Sequence, residues 1–152
     1  MDNLKEPINV MQNSLSVLRK IAGWTTEDLG LRIGVTKQTI SNLENWKVNM
    51  TKTQYIALRS VFEYEINCVK DNMTLQRIMR ILFYSEVNYS KETMIKITEA
   101  LDNLAAAASG GVSGPQLFLL STTLLSPLKL PVMNKAIEVD KPYIWVEKVM
   151  ER

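Results

Sequence analysis

One stretch, TTEDLGLRIGVTKQTISNLEN from Thr25 to Asn45, constrains the fold more than any other, because each of its breaks has a local cause. Thr25 can cap a helix, and Glu27 and Asp28 then fall in its first turn, where the helix dipole favours anions. Leu29 and Ile33 are four apart and share a face. Gly34 stops that helix, and Thr36 can cap the next, which runs to about Asn45. Two helices of about ten residues joined by so tight a turn form a helix-turn-helix.

Helical periodicity continues on both sides. Leu15, Leu18 and Ala22 in NSLSVLRKIAG predict a preceding helix, with Val17 and Ile21 on a neighbouring line and Gly23 as its stop. A fourth helix fits TKTQYIALRSVFEYE, with Tyr55, Leu58 and Phe62 inward; Glu63 and Glu65 read as its solvated end. A fifth fits DNMTLQRIMRILFYSE, with Leu75, Ile78, Met79 and Leu82 inward. A sixth, capped by Ser90, carries Met94, Ile97, Leu101, Leu104 and Ala108 on one line and ends at Gly110 and Gly111. The loop GGVSGP then leads into a short buried helix from Pro115, a residue suited to a first helical position. SPLKLPVMN, with two prolines, is expected to be irregular. DKPYIWVEKVMER predicts a last helix capped by Asp140, and Lys135 to Val139 is a weak strand candidate. The chain is therefore expected to be all-α, with a helix-turn-helix bundle over residues 1–66 and a helical region over 67–152.

Composition narrows the chemistry. With 152 residues, 46% of them apolar and 22% charged, the chain can build a core. It has no histidine, and Cys68 is its single cysteine. No intrachain disulfide can form, the clustered Cys or His of a structural zinc site are missing, and a histidine acid, base or triad is ruled out. With no nucleophile motif or nucleotide loop either, the chain is not expected to be an enzyme or to need a metal or cofactor. The N-terminus MDNLKEPINV has no basic region followed by an apolar run, so a cytoplasmic location is expected. Residues 112–133 carry one charge, Lys129, but their glycine, prolines and hydroxyls argue against a membrane span. The net charge is only +2, yet Arg32, Lys37, Lys47, Lys52 and Arg59 face Glu44 alone between residues 32 and 59.

That local excess surrounds an unusual surface. On a wheel of about 100° per residue, Ile40 and Leu43 point one way, while Gln38, Asn42 and Asn45 cluster opposite, with Ser41 at the edge and Lys37 in the first turn. A merely solvated face would carry more Glu and Lys. Amides can bond adenine N6 and N7 together, and lysine can reach guanine O6 or N7, in a major groove entered by a helix.

Residues 13–64 resemble the DNA-binding domain of the Cro and phage-repressor (xenobiotic-response-element type, lambda-repressor-like) helix-turn-helix regulators. The residues that carry the likeness are Arg19, Gly23, TTEDLG with Leu29 and small Gly30, IGV at 33–35, Ile40-Ser41 and Leu43-Glu44. The resemblance implies that Lys37, Gln38, Ser41 and Asn42 read bases, and that Thr26, Thr36, Asn45 and Lys47 meet the DNA backbone. It also implies a structural ion pair between Arg19 and Glu44. Three positions depart from the family pattern. Thr26 is shorter than the usual Gln, Trp24 is bulkier than the usual aliphatic residue, and Trp46 stands where Gly is common. If a left-handed residue is needed there, Asn45 is expected to supply it; Trp46 is expected to pack, the alternative being that it lies against the sugar–phosphate backbone.

The resemblance implies a transcriptional regulator: a dimeric repressor reading a near-palindromic operator in double-stranded DNA. The apolar content of residues 67–152 predicts that they hold a homodimer together. An antitoxin-like alternative, in which the C-terminal half sequesters a partner protein, stays open, as does a small-molecule effector bound near GGVSGP.

Overall fold

A computed structural model describes residues 5–69, 72–84 and 88–131. Every regular element among them is helical: α1 Lys5–Ile21, α2 Thr26–Ile33, α3 Lys37–Glu44, α4 Lys52–Tyr64, α5 Met73–Met79, α6 Lys91–Ser109 and α7 Gly114–Leu125. The all-α expectation is met. The terminal helix and the strand candidate at 135–139 lie outside the described residues.

The starts of these helices follow local chemistry. Thr25 and Asp28 form a reciprocal capping box: the Asp28 N–H donates to Thr25 Oγ1 at 3.0 Å, and the Thr25 N–H donates to Asp28 Oδ2 at 2.9 Å. Thr51 and Gln54 repeat the arrangement at α4, at 3.1 and 2.9 Å. Thr36 caps α3 and Ser90 caps α6 through single side-chain acceptors. Gly23 and Gly34 end α1 and α2 with φ of 81° and 78°, a left-handed turn that costs glycine little.

Three details differ from the periodicity. α1 begins at Lys5, well before the expected start at Asn13; Pro7 sits in its first turn, where an N–H has no partner in the helix anyway. At the end of the fifth helical stretch Ile81 is buried and Leu82 half-buried, where the chain passes into a π-helical turn at Arg80–Tyr84. Glu63 is not solvated. It is 2% exposed and pairs with Arg59 at 3.4 Å, and Arg59 Nη1 also donates to the Tyr55 hydroxyl at 2.7 Å. Residues 55, 59 and 63 are four apart, so they stack along one line of α4. Arg59 is therefore spent inside the fold and does not belong to the basic surface around α3.

The described chain divides into two compact units. The first contains residues 5–15 and 25–69; the second contains 16–24, 72–84 and 88–131. In the first, α2 packs on α3 and on α4 around Leu29, Ile40, Leu43, Leu58 and Phe62, all fully buried. In the second, α7 packs on α5 and α6 around Leu75, Ile78, Leu101, Leu104 and Leu117. Arg77 of α5 donates to the hydroxyls of Ser121 at 2.8 Å and Thr122 at 2.6 Å and lies 3.9 Å over the Phe118 ring. Burial, and then the charge of Arg80, lowers the pKa of Arg77 from its usual value. GGVSGP is a short connection: Gly110 and Gly111 close α6, and α7 starts at Gly114 with Pro115 in its first turn. No described helix is long and apolar enough to cross a membrane.

Candidate nucleic-acid interface

The outer face of α3 is set by two packing constraints. Ile40 and Leu43 are 0% exposed and hold the helix by its inner side, so its opposite side must face outward. Gly30 sets how closely α2 approaches the turn. A Cβ there would meet the Val35 carbonyl oxygen at 2.6 Å, a backbone atom with nowhere to go. The Val35 N–H closes the turn by donating to the Gly30 carbonyl at 2.9 Å.

On the outer side the sequence-predicted residues appear together. Lys37 and Gln38 are exposed, and Ser41 and Asn42 are half-buried. Gln38 Nε2 donates to Asn42 Oδ1 at 2.9 Å, so the two amides form one bonded unit along a helix line. That bond leaves Gln38 Oε1 as an outward acceptor and Asn42 Nδ2 as an outward donor. Adenine in the major groove presents the complement, an N6 donor beside an N7 acceptor.

The flanking positions divide. Lys47 is exposed, beyond the end of α3. Thr26 is half-buried as the first residue of α2, at the positive end of that helix. Asp28 occupies the same turn, and its carboxyl is held below its ordinary 3.8, chiefly by the Thr25 backbone N–H, then by the Thr25 hydroxyl, with a smaller part from Arg32. The Thr36 hydroxyl accepts the Thr39 N–H at 3.2 Å and lies 3.1 Å from the Thr39 hydroxyl. Asn45 turns back on its own helix: Nδ2 donates to the Ser41 carbonyl at 2.9 Å and to Ser41 Oγ at 3.3 Å. In this conformation its amide hydrogens satisfy the helix end. Arg19 Nη1 donates to the Trp24 carbonyl at 2.9 Å, and Glu44 is the half-buried last residue of α3.

The turn after α3 corrects an expectation. Asn45 does not supply the left-handed residue; its φ is −95°. Trp46 does, with φ of 56°. The Lys47 N–H donates to the Asn42 carbonyl at 2.9 Å and the Trp46 N–H to the Leu43 carbonyl at 3.3 Å, the paired bonds of a Schellman motif. That motif requires a left-handed residue at position 46 itself. A side chain there costs roughly 1–2 kcal/mol over glycine. Nor does Trp46 join the core: it stays 43% exposed, with Val48 beside it in sequence at 49%.

A residue that periodicity alone passes over holds this turn in place. Gln12 of α1 is 2% exposed. Its Nε2 donates to the carbonyls of Leu43 at 2.9 Å and Val48 at 2.8 Å, and its Oε1 accepts the Met50 N–H at 2.9 Å. Both N–H donors and the carbonyl oxygen of the amide are engaged, and all three partners lie on the segment that carries Trp46 and Lys47. The sequence signal was an amide three residues before Leu15, on the apolar side of a helix.

Comparison with known proteins gives one partial likeness. The chain is 34% identical over 53 residues to Antitoxin HipB of Escherichia coli (strain K12), an alignment covering 35% of this chain and 60% of that protein. The chain thus spans less than two thirds of the length of the curated relative it matches. No protein-family model and no solved structure matches it.

Proposed function

We propose that this chain is a helix-turn-helix regulator that reads double-stranded DNA through the major groove with α3. The observation that carries the reading is the outward amide pair of Gln38 and Asn42 on a helix whose other side is locked by Ile40 and Leu43. In this reading Lys37, Gln38 and Asn42 meet base edges, with Ser41 at the margin. Thr26, Thr36 and Lys47 meet phosphates, and Asn45 does so only by releasing Ser41. The partial likeness to an antitoxin is compatible with the same role.

Binding as a homodimer on a near-palindrome belongs to the same proposal, with half-sites about 34–36 Å apart. In the second unit Met73, Ile95 and Leu119 are 56%, 56% and 67% exposed, large apolar side chains of the kind that a subunit interface covers. Repression, by occlusion of a promoter, is the simplest outcome of such binding.

Selection of bound duplexes from a random DNA pool at two salt concentrations tests the reading. A two-fold symmetric motif with half-sites one helical turn apart is the expected result. Salt-sensitive recovery without any motif would remove sequence reading from the proposal, and a monomer by light scattering at micromolar protein would remove the dimer.

The name of the relative supports a second reading, in which the C-terminal half captures a toxin protein while α3 holds DNA. Co-purification of the full chain with the product of an adjacent gene, lost on removing residues 72–152, distinguishes this from a regulator that acts alone.

A further inference from the structure

We propose that Trp46 is itself a DNA-contacting residue, laying its indole against the sugar–phosphate wall of the groove that α3 enters. The inference rests on the DNA-binding reading above and adds to it a contact at a position where the turn favours glycine. Three observations carry it. The Schellman turn after α3 requires a left-handed residue, and the chain places its largest side chain there, with φ of 56°. Strain of this kind persists where the side chain has a use. The ring is not absorbed by the core, since 43% of the residue remains exposed. The charge around it suits a polyanion: Lys47 and Lys52 are exposed, and no Asp or Glu occurs between Glu44 and Glu63.

Position supplies the rest. α3 advances about 1.5 Å per residue, so its last residue, Glu44, lies roughly 9 Å beyond Gln38 along the axis, and Trp46 follows in the turn just past that end, a span on the scale of the major groove's width of about 12 Å. With the N-terminal residues of the helix at the base edges, its C-terminal end comes out at the backbone. Gln12 fixes the carbonyls of Leu43 and Val48 on either side of the turn, so the indole is presented from a rigid support. An indole has one N–H donor and no acceptor, which suits a phosphate oxygen, and its apolar ring suits a deoxyribose. Such a contact carries no base information and no charge. Its loss should therefore weaken every duplex alike and leave the salt dependence unchanged, whereas loss of a phosphate-bound lysine reduces the salt slope by about one.

The test compares full-length wild type, Trp46→Gly, Trp46→Ala and Lys47→Ala on the selected duplex and on a scrambled one, across a salt series, with a thermal melt of each protein. Both Trp46 variants are expected to lose about five- to tenfold in affinity on both duplexes, with the wild-type salt slope. Trp46→Ala should melt below Trp46→Gly, because alanine keeps the left-handed strain that glycine relieves. Equal affinity losses in two variants of unequal stability assign the effect to the missing ring. Wild-type affinity in either variant overturns the proposal. So does a loss that follows the melting order, or one confined to the selected sequence. If wild type binds neither duplex, the DNA-binding reading fails and this contact with it.

Discussion

Gln12 Nε2 donates to the carbonyl of Leu43 at 2.9 Å, tying the first helix to the end of the third across 31 residues of sequence. The same amide holds Val48 and Met50, so one buried side chain organises the whole segment between α3 and α4. Gln12→Ala is expected to leave the buried Met50 N–H without its partner. At about 1–3 kcal/mol for such a group, a loss of that size is expected from chemical denaturation. A change below about 0.5 kcal/mol would show that the segment holds its shape without the amide.

The bond between Gln38 and Asn42 predicts that the two act as a unit on DNA. Gln38→Ala should relax the preference at one base position and cost roughly 1–3 kcal/mol. A double-mutant cycle with Asn42→Ala should deviate from additivity by about 0.5 kcal/mol or more. Strict additivity on the preferred duplex would mean that each amide reads its base independently.

Gly30→Ala places a methyl carbon 2.6 Å from the Val35 carbonyl oxygen. Relief requires α2 to move away from the turn that aims α3. A destabilisation of about 1–3 kcal/mol is expected from the overpacking, together with weakened DNA binding beyond what the lower stability accounts for. An unchanged melting temperature would contradict the close approach.

Glu63→Ala removes the carboxylate that sits 3.4 Å from buried Arg59. Breaking a buried pair from one side costs roughly 3–5 kcal/mol, and the loss should register in a urea melt. Glu65→Ala, two residues further on and half-buried, should change stability by less than about 0.5 kcal/mol. A loss for Glu63→Ala as small as that for Glu65→Ala would mean that both carboxylates are solvated.

Asp28 gives a pH dependence of known sign. Hydrogen bonds from Thr25 lower its folded pKa below the ordinary 3.8, so folding favours the ionised carboxyl. Its stabilising contribution is complete above about pH 4 and disappears as pH falls through the folded value. Asp28 is exposed, so the contribution should shrink with added salt. In Asp28→Ala the stability curve should be flatter below pH 4 than in wild type, and coincident acid limbs would remove Asp28 from the linkage.

The sequence by itself determined the breaks between helices and the inward side of most of them. Thr25, Thr36, Thr51 and Ser90 bond to the backbone N–H three residues ahead, so each cap is complete within four residues and can be read locally. Tyr55, Leu58 and Phe62, like Ile97, Leu101 and Leu104, are inward because a helical period leaves them no other side. The composition of the α3 face was legible for the same reason. The folded structure decided three things that the helical period did not. Gln12 became a clamp because chain 31 to 38 residues away passes within hydrogen-bonding distance, and no local period encodes that meeting. Glu63 went inward because a carboxylate can leave water when a guanidinium enters with it, a choice a hydropathy pattern reads with the wrong sign. Trp46, and not Asn45, took the left-handed backbone because the bonds closing α3 fix which residue must turn. The turn's geometry outweighed the ordinary preference of either side chain.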